Sequence, residues 1–213
     1  MRFDREMLRL YAVTDRAWVG RQTLSEQIED ALRGGVTLVQ LREKNLAKEE
    51  FVAEAKAVLA LCRQYGVPLI INDRLDVALE SGADGVHVGI EDAPVSEIRR
   101  QTGPDFIIGA TAKTVAQAQA AQAAGADYLG VGAVFPSPTK RKAIGMASDQ
   151  LVEICGSVSS PAVAIGGITA ENAPSLKGCG MAGIAVVSAI FGASDIQQAA
   201  AGLRTLAESI TAP

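Results

Sequence analysis

The sequence predicts a single-domain (β/α)8 barrel, the TIM-barrel type of α/β fold. Short apolar segments rich in Val and Ile alternate with helix-like segments along the whole chain of 213 residues, and eight such pairs can be counted. Strict alternation implies parallel strands with right-handed crossovers. Strands that are apolar throughout are buried on both faces. We therefore expect residues 1–213 to form a single barrel domain of near-minimal length.

Each element follows from local signals. The apolar, β-branched runs predict strands at 8–13, 36–41, 67–71, 84–88, 106–109, 128–131, 162–165 and 184–187. Capping residues and terminal glycines predict the helices. The first begins at a capping box, 23–26, and ends at two glycines, 34–35; the others are predicted at 47–65, 76–81, 95–101, 114–125, 148–156, 169–177 and 195–209. The alternative fold is an open doubly wound sheet. Against it, no G-x-G-x-x-G motif follows the first strand and no linker divides the chain.

Composition excludes several classes of partner. The formal net charge is −4 and the pI is about 5.1, which argues against nucleic-acid or membrane-surface binding. The beginning of the chain lacks the apolar core of a signal peptide, and no apolar run is long enough to span a bilayer. The three cysteines, Cys62, Cys155 and Cys179, are widely spaced, which fits a reducing compartment. We therefore expect a cytoplasmic protein.

Two acidic residues follow neighbouring predicted strands. Asp73 comes directly after the third strand, and Asp92 lies in the loop after the fourth. The carboxyl ends of parallel strands meet on one face, so both side chains are expected there. Mg²⁺ is usually held by one or two carboxylates together with substrate phosphates. The alternative is that both acids cap or open helices.

Cationic and polar residues are predicted on the same face. Arg42, Lys44 and Lys140 could bind a diphosphate, since Arg offers a bidentate fork and Lys a point charge. The alternative is a solvated loop in which Glu43 pairs locally with Arg42 and Lys44. Other polar residues at predicted strand ends are Gln40, Asn72, Thr111, Lys113, Ser137 and Thr139.

The last two strand ends suggest a phosphate site. In barrels of this kind, the loops after the seventh and eighth strands commonly bind phosphate through backbone N–H groups. Gly167 would allow close approach of a phosphate, and Ser188 would donate a hydroxyl. A tight turn that needs glycine for its backbone dihedrals explains Gly167 equally well. His87, the only histidine, is expected to be a hydrogen-bonded residue of the barrel interior.

Eight motifs together resemble the thiamine phosphate synthase family. They run nearly end to end in the family's order: LYAVTDR (10–16), QLREK (40–44), INDR (71–74), GVHVG (85–89), GVGAVFP (130–136), TK (139–140), AIGGI (164–168) and VVSAI (186–190). The resemblance implies a (β/α)8 barrel that joins 4-amino-2-methyl-5-(diphosphooxymethyl)pyrimidine to a thiazole phosphate or its carboxylate. The products would be thiamine phosphate and pyrophosphate. It further implies dissociative loss of pyrophosphate, which needs no protein nucleophile.

The resemblance also implies roles for individual residues. Those expected to hold the pyrimidine diphosphate are Gln40, Arg42, Lys44, Asn72, Thr111 and Lys140, with Arg42, Lys44 and Lys140 as the catalytic cations. Those expected to bind Mg²⁺ are Asp73 and Asp92. Those expected to line the thiazole phosphate site are Ser137, Pro138, Thr139, Gly167, Val187 and Ser188. Members of the family are often dimeric or larger, which implies a homo-oligomer as a further expectation.

The sequence departs from the family pattern at three places. Ile90 stands where Gln is frequent, Thr111 and Lys113 stand within a segment where Gly-x-Ser-x-His is common, and Ser137 replaces a frequent Thr.

Two other functions remain as alternatives: a related thiazole tautomerase, and a barrel that binds thiazole or thiamine phosphates without catalysis. The tautomerase lacks the acid after the fourth strand and uses a histidine near position 113, whereas this chain has Asp92 and Lys113. A decayed site would have lost its charged residues first, and here they are present.

Overall fold

The computed structural model describes residues 2–20, 22–136 and 145–212. Within these residues, eight parallel strands form a closed barrel. The strands are β1 (Leu10–Val13), β2 (Leu38–Leu41), β3 (Leu69–Asn72), β4 (Gly85–Val88), β5 (Ile107–Ala112), β6 (Tyr128–Gly132), β7 (Ala162–Ile165) and β8 (Gly183–Val186). Each strand pairs with the next, and β1 also pairs with β8. The predicted fold class is confirmed.

Helices surround the barrel. The described helices are α1 (Leu24–Arg33), α2 (Lys48–Gln64), α3 (Leu75–Ser81), α4 (Val95–Thr102), α5 (Val115–Ala123), α6 (Ser148–Gly156), α7 (Ser188–Phe191) and α8 (Ile196–Thr211). The predicted capping box of α1 is present, with both hydrogen bonds between Thr23 and Glu26. Gly82 ends α3 in the left-handed conformation, as predicted, with φ of 75°. Among the described helices, none combines the length and apolar character that crossing a bilayer requires.

Two apolar layers hold the fold together. The larger lies between the barrel and its helices. The smaller fills the barrel interior and includes Tyr11, Ile70 and Tyr128. Phe3 stacks on the Tyr128 ring with centroids 5.8 Å apart, so the N-terminal segment packs against the interior from the end at which the strands begin. The opposite end, where the strands finish, is the barrel mouth that carries the predicted site residues.

Two buried or half-buried aspartates brace the N-terminal ends of neighbouring strands. Asp84, just before β4, accepts a hydrogen bond from the backbone N–H of Leu69 at the start of β3. Asp127, just before β6, accepts one from the N–H of Ile108 in β5. Each carboxylate is also paired with an arginine, Arg63 or Arg99 respectively. A charged acceptor therefore joins strand to strand at equivalent positions of the barrel.

The predicted helix at 169–177 is wrong. That segment contains only a 3-10 turn, Ala173–Leu176, with Pro174 in its first turn. The side chain of Asn172 accepts a hydrogen bond from the N–H of Thr169 and donates one to the carbonyl of Gly167. These local side-chain bonds compete with the helical pattern. The bounds of the other predicted elements differ by a few residues, the largest difference being the extension of β5 to Ala112. The short helix α7 and the 3-10 turns at Arg5–Leu8 and Arg16–Trp18 were not predicted.

Candidate active site

Arg42, which follows β2, is held in place by hydrogen bonds to the turn that follows β1. The backbone N–H of Arg42 donates to the Thr14 hydroxyl at 2.9 Å. Its guanidinium Nη1 donates to the Asp15 carboxylate, also at 2.9 Å. The Arg42 side chain is 27% exposed, so it remains accessible from solvent. Arg42 is therefore oriented before any ligand arrives.

Glu43 does not pair with Arg42 or Lys44, contrary to the solvated-loop alternative. Its carboxylate accepts a hydrogen bond from Arg16 at 2.8 Å, and Arg16 also pairs with Glu54 on α2. The Glu43 side chain is 3% exposed. Burial, followed by the nearby Glu54 carboxylate, raises the pKa of Glu43, while Arg16 opposes the rise. Glu43 thus anchors the turn on its helical side and leaves the two cations beside it for other partners.

Asp73 and Asp92 come together at the mouth, as predicted. The pKa of Asp73 is raised, first by its burial and then by the like charge of Asp92, while Lys44 opposes the rise. The Lys44 ammonium lies 3.2 Å from the Asp73 carboxylate. The two carboxylates lie beside each other, and one exposed lysine pairs with only one of them, so their negative charge is only partly neutralised. This arrangement favours an additional cation.

The backbone conformation orients the side chains of Asp73 and Asp92, and neither residue caps a helix. Asp73 has a positive φ of 62°, which is uncommon for a residue other than glycine, and its N–H donates to the carbonyl of His87. The Asp92 carboxylate accepts the N–H of Gly89 at 2.7 Å, within its own turn. The N-cap positions of α3 and α4 are instead Arg74 and Pro94. The helix-capping alternative is therefore wrong.

The donor set fits Mg²⁺. No group of three or more His, Cys, Asp or Glu side chains arranged to hold a metal occurs in the described part of the chain. Asp73 and Asp92 would thus be the protein's acidic ligands. Mg²⁺ keeps several waters and is usually bound by one or two carboxylates plus substrate phosphates. An acid pair beside cations suits that ion better than a metal requiring a full protein cage.

The remaining predicted pyrimidine contacts that the structure describes lie on the barrel wall. Gln40 in β2 and Asn72 at the end of β3 are 5% and 9% exposed. The side-chain nitrogen of Gln40 donates to the Tyr11 hydroxyl at 2.6 Å. Thr111 in β5 lies 3.1 Å from Nε2 of His87. His87 is a hydrogen-bonded interior residue, as predicted, because its other ring nitrogen contacts the Tyr128 hydroxyl.

The glycines after β7 have a structural explanation. Gly166 and Gly167 both have positive φ, of 103° and 65°. A Cβ at Gly167 would lie 2.4 Å from the carbonyl oxygen of Pro136. Glycine is therefore required there by conformation and by close approach of the backbone. The predicted phosphate contacts of Gly167, Val187 and Ser188 stay predictions, with Ser188 at the start of the short helix α7.

Some predicted residues lie outside the part of the chain that the structure describes. These are Ser137, Pro138, Thr139 and Lys140. Conversely, Thr14, Asp15 and Arg16, which brace the turn carrying Arg42, were not among the predicted site residues. A usable signal existed, because this polar triplet ends the first strand just as the predicted site residues end the others.

The fold and this site define a class: a (β/α)8-barrel enzyme whose mouth combines a carboxylate pair with an oriented arginine and a lysine. Residues 10–190 match the family model described as thiamine monophosphate synthase. The chain is 50% identical over 191 residues to the thiamine-phosphate synthase of Ruminiclostridium cellulolyticum, covering 90% of this chain and 91% of that protein. It is 46% identical to the thiamine-phosphate synthase of Clostridium tetani, covering 89% and 91%.

A solved structure agrees with these relatives. The thiamine phosphate pyrophosphorylase of Pyrococcus furiosus superimposes with a TM-score of 0.88 at 39% identity, covering 98% of this chain and 99% of that one. The chain therefore belongs to the thiamine monophosphate synthase family. The predicted family and the predicted transferase class are both confirmed.

Proposed function

We propose that the mouth of this barrel joins the pyrimidine diphosphate to thiazole phosphate, forming thiamine phosphate and releasing pyrophosphate. With the thiazole phosphate carboxylate as the second substrate, the carboxyl group would leave as CO2 in addition. The observation that carries the proposal is the partly neutralised pair Asp73 and Asp92, with Lys44 in contact and Arg42 on the neighbouring turn. A diphosphate leaving group needs both a divalent cation and protein cations around it. The mouth supplies ligands for the first and side chains for the second.

Asp73 and Asp92 would hold Mg²⁺. When bound, the ion supplies Lewis-acid stabilisation of the negative charge that grows on the departing pyrophosphate. The raised pKa of Asp73 supports this assignment, because its carboxylate is desolvated and lies beside another acid. A cation at this position would relieve that repulsion.

Arg42 and Lys44 would bind the diphosphate oxygens. Arg42 keeps several guanidinium donors beyond the one used on Asp15, so it can bind phosphate while remaining oriented. Lys44 is 55% exposed on a flexible stem and can contact phosphate from its position beside Asp73. Lys140, predicted from the sequence, would add a third cation. Charge on pyrophosphate increases as the C–O bond breaks, so these contacts strengthen toward the transition state.

The chemistry would not require a protein nucleophile. Departure of pyrophosphate leaves a cation stabilised by the aminopyrimidine, and the thiazole nitrogen then donates its electron pair to form the new C–N bond. Burial raises the pKa of the Cys62 thiol to about 12 and that of Cys155 to about 11, so neither is an activated thiol. For the second substrate, we assign phosphate binding to Gly167, Val187 and Ser188. The family resemblance adds Ser137, Pro138 and Thr139, which lie outside the described residues.

The proposal extends to the cellular setting. The substrates are small molecules, and neither nucleic acid nor membrane is required as a partner. We propose a cytoplasmic location, which agrees with three cysteines that are all free. We also propose that the chain forms a homo-oligomer, as the family resemblance implies.

A direct assay tests the function. The purified chain is incubated with the pyrimidine diphosphate, thiazole phosphate and Mg²⁺, and thiamine phosphate and pyrophosphate are quantified in parallel. We expect the two products in equal amounts, and none when Mg²⁺ is chelated. In a parallel incubation with the thiazole phosphate carboxylate in place of thiazole phosphate, isomerisation without thiamine phosphate formation would instead indicate the tautomerase. Binding of thiazole phosphate with neither reaction would indicate a non-catalytic barrel.

A further inference from the structure

Five polar side chains form a continuous hydrogen-bonded line inside the barrel. Gln40 Nε2 donates to the Tyr11 hydroxyl at 2.6 Å, and the hydroxyls of Tyr11 and Tyr128 lie 2.8 Å apart. The Tyr128 hydroxyl lies 3.2 Å from Nδ1 of His87, whose Nε2 lies 3.1 Å from the Thr111 hydroxyl. We call these five residues the interior relay. Both of its ends are residues predicted to contact the pyrimidine diphosphate.

The two tyrosines of the interior relay keep their protons. Tyr11 is 1% exposed and Tyr128 is fully buried. Burial is the main cause that raises the pKa of each phenol above its ordinary value. Each hydroxyl therefore carries one proton, and each can donate one hydrogen bond while accepting another.

The direction of the hydrogen bonds follows from this count. The amide nitrogen of Gln40 can only donate, so Tyr11 accepts there and passes its own proton toward Tyr128. Tyr128 in turn donates to Nδ1 of His87. An imidazole that accepts at Nδ1 carries its proton on Nε2, which donates to Thr111. In the reverse direction, the buried Tyr11 proton would lack an acceptor among the described residues, which is costly.

Two glycines make room for the interior relay. A Cβ built at Gly109 in β5 would lie 2.1 Å from the ζ carbon of the Tyr128 ring. A Cβ at Gly130 in β6 would lie 2.9 Å from Cε1 of His87. Neither glycine has a positive φ, so space is the reason for glycine at both positions. The surrounding strands are thus shaped to admit these rings.

We propose that Tyr11, Tyr128 and His87 are positioning residues for the pyrimidine diphosphate. They would act through Gln40 and Thr111, the two residues that are proposed to contact the substrate. In that respect the inference rests on the proposed function. The fixed direction leaves the Gln40 carbonyl oxygen as an acceptor at one end and the Thr111 hydroxyl as a donor at the other. An aminopyrimidine offers the complementary groups, amino hydrogens and ring nitrogens.

Nitrogen NMR on the full chain tests the direction without any enzymatic assay. Because the chain has a single histidine, selective ¹⁵N-histidine labelling reports on His87 alone. We expect the neutral tautomer with its proton on Nε2 and none on Nδ1. A proton on Nδ1, in either the other tautomer or the imidazolium, would overturn the proposed direction. This result stands even if the wild-type protein forms no thiamine phosphate, so the two proposals fail separately.

Kinetics then test the positioning role. Tyr11→Phe removes one hydroxyl from the interior relay, and the matched control Tyr65→Phe removes a hydroxyl bonded to Glu29 in the helical layer. We expect Tyr11→Phe to lower kcat/KM for the pyrimidine diphosphate by about ten-fold, the usual effect of one net hydrogen bond. The KM for thiazole phosphate and the activity of the control should stay at the wild-type level. In a Gln40→Met background, Tyr11→Phe should have little further effect.

Two kinetic outcomes would overturn the positioning role. One is an equal loss for both substrates, which would mean that the hydroxyl only supports the barrel. The other is an undiminished ten-fold loss in the Gln40→Met background, which would mean that Tyr11 does not act through Gln40. If Tyr11→Phe does not fold, Tyr128→Phe is measured against Tyr65→Phe in the same way, with Thr111→Ala as the second background.

Discussion

Arg42→Ala is expected to lower kcat for thiamine phosphate formation by about 10²- to 10³-fold, the usual loss for one oriented transition-state donor. The guanidinium is held by the Asp15 carboxylate at 2.9 Å, so in the proposed reaction it would meet the growing charge on pyrophosphate without reorganisation. Arg42→Lys should recover only part of the rate, because lysine offers a point charge instead of a fork. Steady-state kinetics at saturating Mg²⁺, with each substrate varied in turn, measure both variants.

A surface arginine provides the control. Arg33 on α1 pairs with Glu29 and Asp30 and is 49% exposed, so Arg33→Ala should leave both constants unchanged. A normal kcat with a much higher KM in Arg42→Ala would mean that this residue only helps binding. No change in either constant would mean that Arg42 belongs to a solvated loop.

Asp92→Asn is expected to slow turnover by about 10²-fold at limiting Mg²⁺, in line with losses seen when a metal site is weakened. Asparagine can still accept the N–H of Gly89 through its amide oxygen, so the turn and the fold should survive. Only the negative charge disappears. Excess Mg²⁺ should therefore restore part of the rate, which titration of activity against Mg²⁺ at fixed substrates measures.

Asp4→Asn is the matched control for this substitution. Asp4 also accepts a backbone N–H within its own turn, that of Glu6 at 2.9 Å, but at the end of the barrel where the strands begin. Its Mg²⁺ dependence should equal that of the wild-type protein. If Asp92→Asn keeps the wild-type rate at limiting Mg²⁺, the metal assignment fails.

Much of the fold could be predicted because its determinants are local. The boundaries of β7 and α6 agree with the prediction, since a β-branched run and a polar, amphipathic segment specify them without distant partners. The pairing of Asp73 with Asp92 also followed from topology alone, because neighbouring parallel strands end on one face. In these cases the chain's own order places the residues.

The parts that failed depend on partners distant in sequence or on side-chain competition. The segment 169–177 has helix-forming positions, but Asn172 and Pro174 divert its backbone into a short turn. Sequence periodicity does not reveal that Arg16 pairs with Glu54 and also with Glu43. Because Glu43 is paired with Arg16, it does not pair with Arg42. That arrangement depends on how the turn after β1 lies against the turn after β2.

The interior relay was predictable only in part. The hydrogen bonding of His87 was expected from its place within a strand, but its partners could not be named. Tyr11 and Tyr128 are separated by 117 residues and meet only when the barrel closes. In the sequence, Tyr11 is indistinguishable from other aromatic residues that fill a core. Its hydroxyl gains a role from the closed geometry.

The measurement closest to the central claim is calorimetric titration of Mg²⁺ into the protein with pyrophosphate present, compared with Asp73→Asn and Asp92→Asn at the same pH. Mg²⁺ binds ionised carboxylates, and the pKa of Asp73 is raised above its ordinary value. As the pH is lowered, the Mg²⁺ affinity of the wild-type protein should therefore begin to fall at a higher pH than it would with an aspartate of ordinary pKa. We expect one Mg²⁺ per wild-type chain and at least about ten-fold weaker binding in each variant. Equal binding by the wild-type protein and both variants would contradict the account.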